Sequence, residues 1–151
     1  MVKSTYWREG LLDLVFLNQD VADIGDATGL RGSSTANGLF LSAHTADPGI
    51  GGAQGTNEVT VGAWPSYARV TTSRGVSHWS RTNNFVFNVQ TASFGANDGA
   101  SAVTVTHIAA GVAGSNPNGA LIYITQLTSP IVLAPGVTLQ FIPNELVFTE
   151  R

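Results

Sequence analysis

The chain has 151 residues, of which 11% are charged, with 7 Lys or Arg against 10 Asp or Glu and a net charge of −3. This length predicts a single domain over residues 1–151. The absence of cysteine excludes disulfide frameworks, thiolate nucleophiles and cysteine-ligated zinc. With so few basic residues, we expect no nucleic-acid partner. Without a run of about 18 apolar residues, we expect no membrane partner.

The low charge is the most informative feature of the composition. An average soluble domain carries about 25% charged residues, and a surface of Ser, Thr, Asn, Gly and Ala repels its neighbours weakly. Either the protein is a soluble β-domain with a neutral surface, or part of that surface is buried in an assembly. The second interpretation is favoured, and it predicts a homo-oligomer, in particular a trimer, because exposed strand edges need cover.

The first predicted element is an amphipathic helix within residues 1–20. Ser4 or Thr5 can cap its first turn, and the helix is expected to end near Asn18. Its apolar face comprises residues at helical spacing, namely Trp7, Leu11, Leu14 and Val15, with Leu12 and Phe16 widening it. This face packs either on the protein's own sheet or on another protein, and in the second case the helix is a docking arm.

A glycine-rich loop is predicted over residues 20–38, and a β-sandwich over residues 38–151. Short segments rich in β-branched or aromatic residues predict roughly eight strands, over residues 39–44, 67–72, 85–89, 103–109, 120–127, 131–133, 137–141 and 146–149. Turn residues such as Pro135-Gly136 separate them. The fold class is therefore mainly β, an antiparallel β-sandwich or jelly roll with one N-terminal α-helix.

Few titratable residues could carry chemistry. His44 and Asp47 lie three residues apart, but no third ligand is close in sequence, so no metal site is predicted. In the segment Asp47-Pro48-Gly49, Asp47 is expected to accept hydrogen bonds from turn N–H groups, with His44 at a strand edge. Glu58 and Arg69 could form a catalytic pair, but an ion pair that holds a loop is favoured.

Motifs for nucleophilic catalysis or phosphate binding are absent, so no catalytic residue and no cofactor are predicted. The aromatic rings of Trp64, Tyr67 and Trp79 could stack on sugars, with the two tryptophans as the candidate glycan contacts. Aromatic residues on strands are more often part of a core or an interface, and that alternative is favoured.

The segment from Leu41 to Gly49, with its His-Thr-Ala-Asp-Pro-Gly run, resembles a family of small tailed-bacteriophage virion proteins. Further matches lie downstream, at Asn57-Glu58-Val59, Tyr67-Ala68-Arg69, Trp79, Thr106–Ala109, and Gly119 with Leu121 and Tyr123. Members of that family are commonly labelled tail or tail-fibre proteins. The loop between Val59 and Tyr67 is longer here, and the residues from Pro143 onward match nothing in the pattern.

The resemblance implies a non-enzymatic accessory structural protein of the virion, assembled in the host bacterial cytoplasm, without cofactor, bound to other virion proteins. It leaves two locations open, a capsid-decoration subunit, slightly favoured, or a small tail or tail-fibre-associated module. The alternative function is a carbohydrate- or receptor-binding module that uses Trp64 and Trp79. The residues of the resemblance with expected structural roles are His44, Asp47, Pro48, Gly49, Glu58, Tyr67 and Arg69.

Overall fold

The computed structural model describes residues 2–24, 29–32 and 38–151, so much of the loop predicted over residues 20–38 lies outside the described residues. The described elements are helix α1 (Thr5–Leu12), a π-helical turn (Asp13–Leu17), and strands β1 (Gly38–His44), β2 (Val70–Ser73), β3 (Trp79–Thr82), β4 (Phe85–Asn88), β5 (Ala92–Ala96), β6 (Val103–Gly111), β7 (Leu121–Leu133), β8 (Thr138–Phe141) and β9 (Val147–Thr149). No helix in these described ranges is long and apolar enough to cross a membrane.

The strands form three sheets, with the orders β2-β1-β6-β7, β3-β4-β9 and β5-β8. Antiparallel pairing joins β1 to β6, β6 to β7, β3 to β4, and β4 to β9. The prediction of a mainly antiparallel β protein with one N-terminal helix, consistent with a β-sandwich, is confirmed.

The chain divides into two compact units, each assembled from separate segments. Unit 1 comprises Met1–Gly38, Ser73–Thr91 and Phe141–Arg151, and unit 2 comprises Leu39–Thr72 and Ala92–Gln140. Helix α1 and the β3-β4-β9 sheet belong to unit 1. The single domain expected over residues 1–151 stays a prediction.

The helical segment, which comprises α1 and the π-helical turn that follows it, begins and ends where the sequence predicts. The Trp7 N–H donates to the Ser4 hydroxyl over 3.3 Å, which makes Ser4 the N-cap. The π-helical turn ends at Asn18, whose φ of 56° is left-handed. Asn tolerates that conformation better than most residues, which explains why the helical segment stops there.

The most deeply buried residues of the helical segment are not the four that were predicted to form the centre of its apolar face. Leu12 and Phe16 are fully buried, whereas the four residues expected to form the face, Trp7, Leu11, Leu14 and Val15, are half-buried. The Phe16 ring lies 4.8 Å from Trp79 and 5.4 Å from Phe148, centroid to centroid. Two adjoining stripes of the helix are apolar, and only the position of these aromatic partners decides which stripe is buried.

Two arginines tie the helical segment to the rest of unit 1. Arg81 contacts the carboxylates of Asp13 at 2.6 Å and Glu9 at 3.2 Å. Arg74 donates to the carbonyls of Leu14 and Val15, the latter over 2.7 Å. Because the last carbonyls of a helix lack intrahelical partners, the Arg74 contacts satisfy groups that would otherwise need water.

The ladder between β6 and β7 explains one error in the predicted strands. Val105 pairs with Ile131, but His107 pairs with Gln126, so residues 127–130 bulge out of the ladder. The structure therefore has one strand of 13 residues where two were predicted, over residues 120–127 and 131–133. A turn signal at Ser129-Pro130 marks a bulge here rather than a chain reversal.

Strands β3 and β5 were not predicted. Their sequences, Trp-Ser-Arg-Thr and Ala-Ser-Phe-Gly-Ala, hold few β-branched or large apolar residues. Strand β3 forms because it pairs with β4 along its whole length, from Trp79 opposite Asn88 to Thr82 opposite Phe85. Long-range pairing thus overrides weak local preference.

Candidate functional site

Strand β1 is followed by a long loop, the DPG loop (residues 45–57), which turns back against the end of that strand. The Thr45 N–H donates to the Asn57 carbonyl over 2.8 Å, and the Val59 N–H donates to the Ala43 carbonyl over 2.9 Å. These bonds place Glu58 opposite His44 in an isolated antiparallel bridge. The two ends of the DPG loop, at His44 and Glu58, therefore meet within unit 2.

The turn at Asp47-Pro48-Gly49 has the predicted chemistry. The Gly49 N–H donates to Asp47 Oδ1 over 2.8 Å, and the Asn57 amide donates to the Asp47 carbonyl over 2.9 Å. Gly49 adopts a φ of +76°, which side-chain-bearing residues adopt with strain. The expectation that Asp47 organises its own turn is confirmed.

His44 is fully buried at the end of β1 rather than lying at a strand edge. Its Nδ1 lies 2.9 Å from the Thr56 carbonyl oxygen, and its Nε2 lies 2.8 Å from the Ser42 hydroxyl. A carbonyl only accepts, so Nδ1 carries the proton and Nε2 accepts from Ser42. Burial lowers the pKa of His44 below its ordinary value of 6.5, which keeps the ring neutral.

Glu58, Tyr67 and Arg69 form a hydrogen-bonded cluster beside the DPG loop. Arg69 Nε donates to Glu58 Oε1 over 2.8 Å and Arg69 Nη2 to Glu58 Oε2 over 2.7 Å, a two-point ion pair. The Tyr67 hydroxyl donates to Glu58 Oε1 and accepts from the Ala43 N–H, each over 2.9 Å. The ion pair predicted for Glu58 and Arg69 is confirmed, and Tyr67 joins it to β1.

Arg69 also holds the loop that follows β6. Its Nη1 donates to the carbonyls of Ala113 at 2.8 Å and Asn116 at 3.0 Å. Only 4% of the Arg69 side chain and 12% of the Glu58 side chain are exposed. The hydrogen bonds to Glu58 raise the pKa of Arg69, and burial raises the pKa of Tyr67, so both side chains stay protonated at neutral pH.

A surface depression of about 300 Å³ adjoins this cluster and is lined by Glu58, Val59, Val61, Tyr67, Ala68, Arg69, Gly114 and Ser115. The two charged groups on its wall neutralise one another. Both oxygens of the Glu58 carboxylate already accept from neighbouring donors. This arrangement holds loops together and leaves no carboxylate oxygen poised for proton transfer.

The two tryptophans considered for glycan binding are both fully buried, each in its own unit. Trp64 lies 5.5 Å from Tyr67, and its Nε1 donates to the Ser66 hydroxyl over 3.2 Å. Trp79 lies against Phe16 and Phe148. Stacking on a sugar requires an open ring face, so these positions count against the predicted glycan contact.

Three buried amides, which the sequence analysis missed, complete the polar framework. Asn97 donates to the carbonyls of Ser101 and Leu133 within unit 2, and Asn88 donates to the carbonyls of Gln90, Phe141 and Ile142 within unit 1. Gln54 Oε1 accepts from the Ala113 N–H. The run Asn97-Asp98-Gly99 between two strands is typical of a turn, and this signal could have indicated the role of Asn97.

A second depression in unit 2, of about 260 Å³, is lined by Asp47, Ile50, His107, Ile124 and Gln126. Gly49 N–H binds Asp47 Oδ1, and the Thr106 hydroxyl lies 2.8 Å from His107 Nδ1. No hydrogen bond from the described part of the chain reaches Asp47 Oδ2, His107 Nε2 or the side-chain amide of Gln126. Across residues 2–24, 29–32 and 38–151, no group of three or more His, Asp or Glu side chains could hold a metal ion.

These contacts define a β-rich structural module whose conspicuous polar side chains serve bonds within the chain. Residues 3–149 match the family described as Podophage GP4 fiber I protein gp80, and the chain belongs to this family. No curated protein matches the chain significantly.

Membership of this family confirms the resemblance to tailed-phage proteins at the level of a phage fibre family. The protein is accordingly a structural component of the phage virion, associated with other virion proteins. The His-Thr-Ala-Asp-Pro-Gly run as a family motif stays a prediction. A fibre family indicates a non-enzymatic role.

Proposed function

We propose that the protein is a fibre-associated structural module that attaches to other proteins of the phage tail. The family match over residues 3–149 carries this proposal, because the description of that family names a fibre. Capsid decoration, slightly favoured from the sequence, has no comparable support. Assembly is proposed to occur in the host bacterial cytoplasm.

Copy number tests the location. Quantitative mass spectrometry of purified virions is expected to find a small number of copies, in proportion to known tail proteins. Hundreds of copies, in proportion to the major capsid protein, would place the protein on the capsid instead. Immunogold labelling of intact virions checks the same point independently, with label expected at the fibres.

The module is proposed to have no catalytic activity. His44 and Glu58, the two candidate acid–base groups beside the DPG loop, are buried in bonds to neighbouring groups of unit 2, as is Arg69. A hydrolase acting on glycans needs two accessible carboxyl groups about 5 to 9.5 Å apart. Incubation with host polysaccharide is expected to release no reducing ends, and release by the purified protein would refute this part of the proposal.

Copies of the chain are proposed to associate with one another. Large apolar side chains are exposed in unit 2, among them Ile50, Val61 and Val132. Such exposure beside a surface with little charge favours association over dispersal. Light scattering counts the chains, and the trimer expected from the sequence stays a prediction.

Receptor binding is the second candidate function. The depression lined by Asp47 is a better candidate for the binding site than the two tryptophans, because both tryptophans are buried. Carboxylate, imidazole and amide groups surround two isoleucines there, a combination that suits a sugar with hydroxyl and C–H faces. Saturation-transfer NMR with host polysaccharide would detect such contacts. The signal should disappear in Gln126→Ala and remain in the control Thr71→Ala; no signal for the wild type would dismiss this candidate.

A further inference from the structure

The depression beside Asp47 lies between the DPG loop and one face of the β6-β7 ladder. Asp47 and Ile50 come from the loop, and His107, Ile124 and Gln126 come from the two strands. His107 pairs with Gln126 across the ladder, and Ile124 lies two residues before Gln126, so these three side chains share one face of the sheet. The volume of about 260 Å³ is large enough for one side chain and small for an oligosaccharide.

The hydrogen bonds around His107 determine what its ring offers to this depression. The Thr106 hydroxyl donates to the His44 carbonyl over 3.4 Å, and its oxygen lies 2.8 Å from His107 Nδ1. Because the hydroxyl proton points to the carbonyl, the hydroxyl oxygen accepts from Nδ1–H, which leaves a lone pair on Nε2 of the neutral ring. His107 therefore presents a hydrogen-bond acceptor.

Asp47 and Gln126 add two further acceptors to the same depression. The Gly49 N–H binds Oδ1 of Asp47, whereas no donor within residues 2–24, 29–32 and 38–151 reaches Oδ2 of Asp47 or the side-chain oxygen of Gln126. A lysine ammonium has three N–H donors and no acceptor, which matches three acceptors of this kind. The methylene groups of a lysine can pack on apolar side chains, and Ile50 and Ile124 provide such a wall.

The distribution of charge favours a cation at this position. Unit 2 contains three carboxylates, but only one arginine and no lysine. Its arginine, Arg69, is bound to Glu58, so Asp47 has no counter-charge among the basic residues of this unit. The one lysine of the chain, Lys3, belongs to unit 1 and forms an ion pair with Glu150. We therefore expect a cation that pairs with Asp47 to come from another protein.

We propose that this depression receives a lysine side chain from another virion protein. The inference rests on the proposed attachment to other virion proteins and names one contact of that attachment. An arginine fits less well, because its planar group pairs best with both oxygens of a carboxylate, and Oδ1 of Asp47 already accepts from Gly49 N–H. A lysine bound here would exclude a sugar from the same depression.

Carbodiimide cross-linking of purified virions tests this contact. The reagent activates a carboxylate, the amine of a paired lysine attacks the activated carbon to form an amide, and the carbodiimide takes up the elements of water and leaves as a urea. Mass spectrometry is expected to find Asp47 joined to a lysine of another virion protein. The control is Asp98, which lies outside the depression, accepts from Ser66 N–H and should be linked much less.

Separate results of the cross-linking would overturn different proposals. An unlinked Asp47 would overturn the inference, and so would a link from Asp47 to Lys3 of a second copy. A link to a capsid protein would support the inference and overturn the fibre location, which copy number tests independently. A saturation-transfer signal from host polysaccharide that is lost in Asp47→Asn, without any cross-link, would assign the depression to a sugar and overturn the inference.

A competition during assembly tests the contribution of the contact to attachment. Asp47→Asn removes the charge and keeps the oxygen that accepts from Gly49 N–H, so the turn is expected to persist. The matched control Asp98→Asn removes the same charge from unit 2. When variant and wild type are produced together, virions should contain up to about tenfold less Asp47→Asn, the scale of one charge-assisted hydrogen bond, and equal amounts of Asp98→Asn. Equal incorporation of Asp47→Asn and wild type would overturn the inference.

Discussion

The carboxylate of Glu58 and the guanidinium of Arg69 meet in a two-point ion pair, with N–O distances of 2.8 and 2.7 Å, beneath the DPG loop. Because Arg69 also donates to the Ala113 and Asn116 carbonyls, one side chain joins the segment after β6 to the segment before β2. A planar group with five donors suits this position better than the ammonium group of lysine.

Glu58→Gln is expected to lower the free energy of unfolding by about 3 to 5 kcal/mol, because it leaves the buried Arg69 charge without a counter-charge. Urea denaturation followed by tryptophan fluorescence measures the change. Arg31→Gln is the control, since Arg31 and Asp20 are well exposed and 4.0 Å apart, and its effect should stay below about 1 kcal/mol. Equal stabilities of Glu58→Gln and the wild type would contradict the structural role of the pair.

Asp47→Ala is expected to lower the free energy of unfolding by about 0.5 to 2 kcal/mol, the scale of a lost side-chain cap, because Gly49 N–H loses its acceptor. Asp47→Asn keeps an acceptor oxygen and should recover most of the loss. Thermal unfolding of the three proteins in parallel tests this. If Asp47→Ala melts like the wild type but abolishes infection in reconstituted virions, Asp47 acts in binding instead.

The buried His44 predicts a loss of stability in acid. Because its folded-state pKa is lowered, the unfolded chain binds a proton first, so stability is full above about pH 6.5 and falls as pH drops below that value. Urea denaturation between about pH 7.5 and pH 5 is expected to show this loss. His44→Gln should have a shallower pH dependence over the same interval; an unchanged slope would assign the acid sensitivity to other groups.

The helical segment is expected to be part of the core of unit 1 and not a detachable arm. Phe16→Ala should cost about 3 to 5 kcal/mol because its ring fills the space between Trp79 and Phe148. Leu14→Ala, at a half-buried position, is the control and should cost less. Deleting residues 1–20 is expected to unfold unit 1; a truncated protein that melts normally but fails to bind virions would identify a docking arm.

Much of the fold could be predicted from local sequence. The period of the apolar residues changes from helical to alternating after residue 38, which predicts one helix followed by β-strands. The eight predicted strand segments overlap seven of the described strands, because two of the segments fall on β7. The DPG turn was predictable because its bonds join neighbours in the chain, as Asp47 and Gly49 do. The strands β3 and β5 were not, since long-range pairing creates them.

The sequence by itself determined the class of the protein, mainly β with an N-terminal helix, the chemistry of its turn, and its likeness to phage virion proteins. Tertiary structure decided what each conspicuous side chain contacts. It buried Trp64 and Trp79, selected Leu12 and Phe16 as the helix core, and left β7 at a sheet edge. Periodicity reports which residues are apolar, whereas burial depends on partners that are distant in the chain and brought near only by folding.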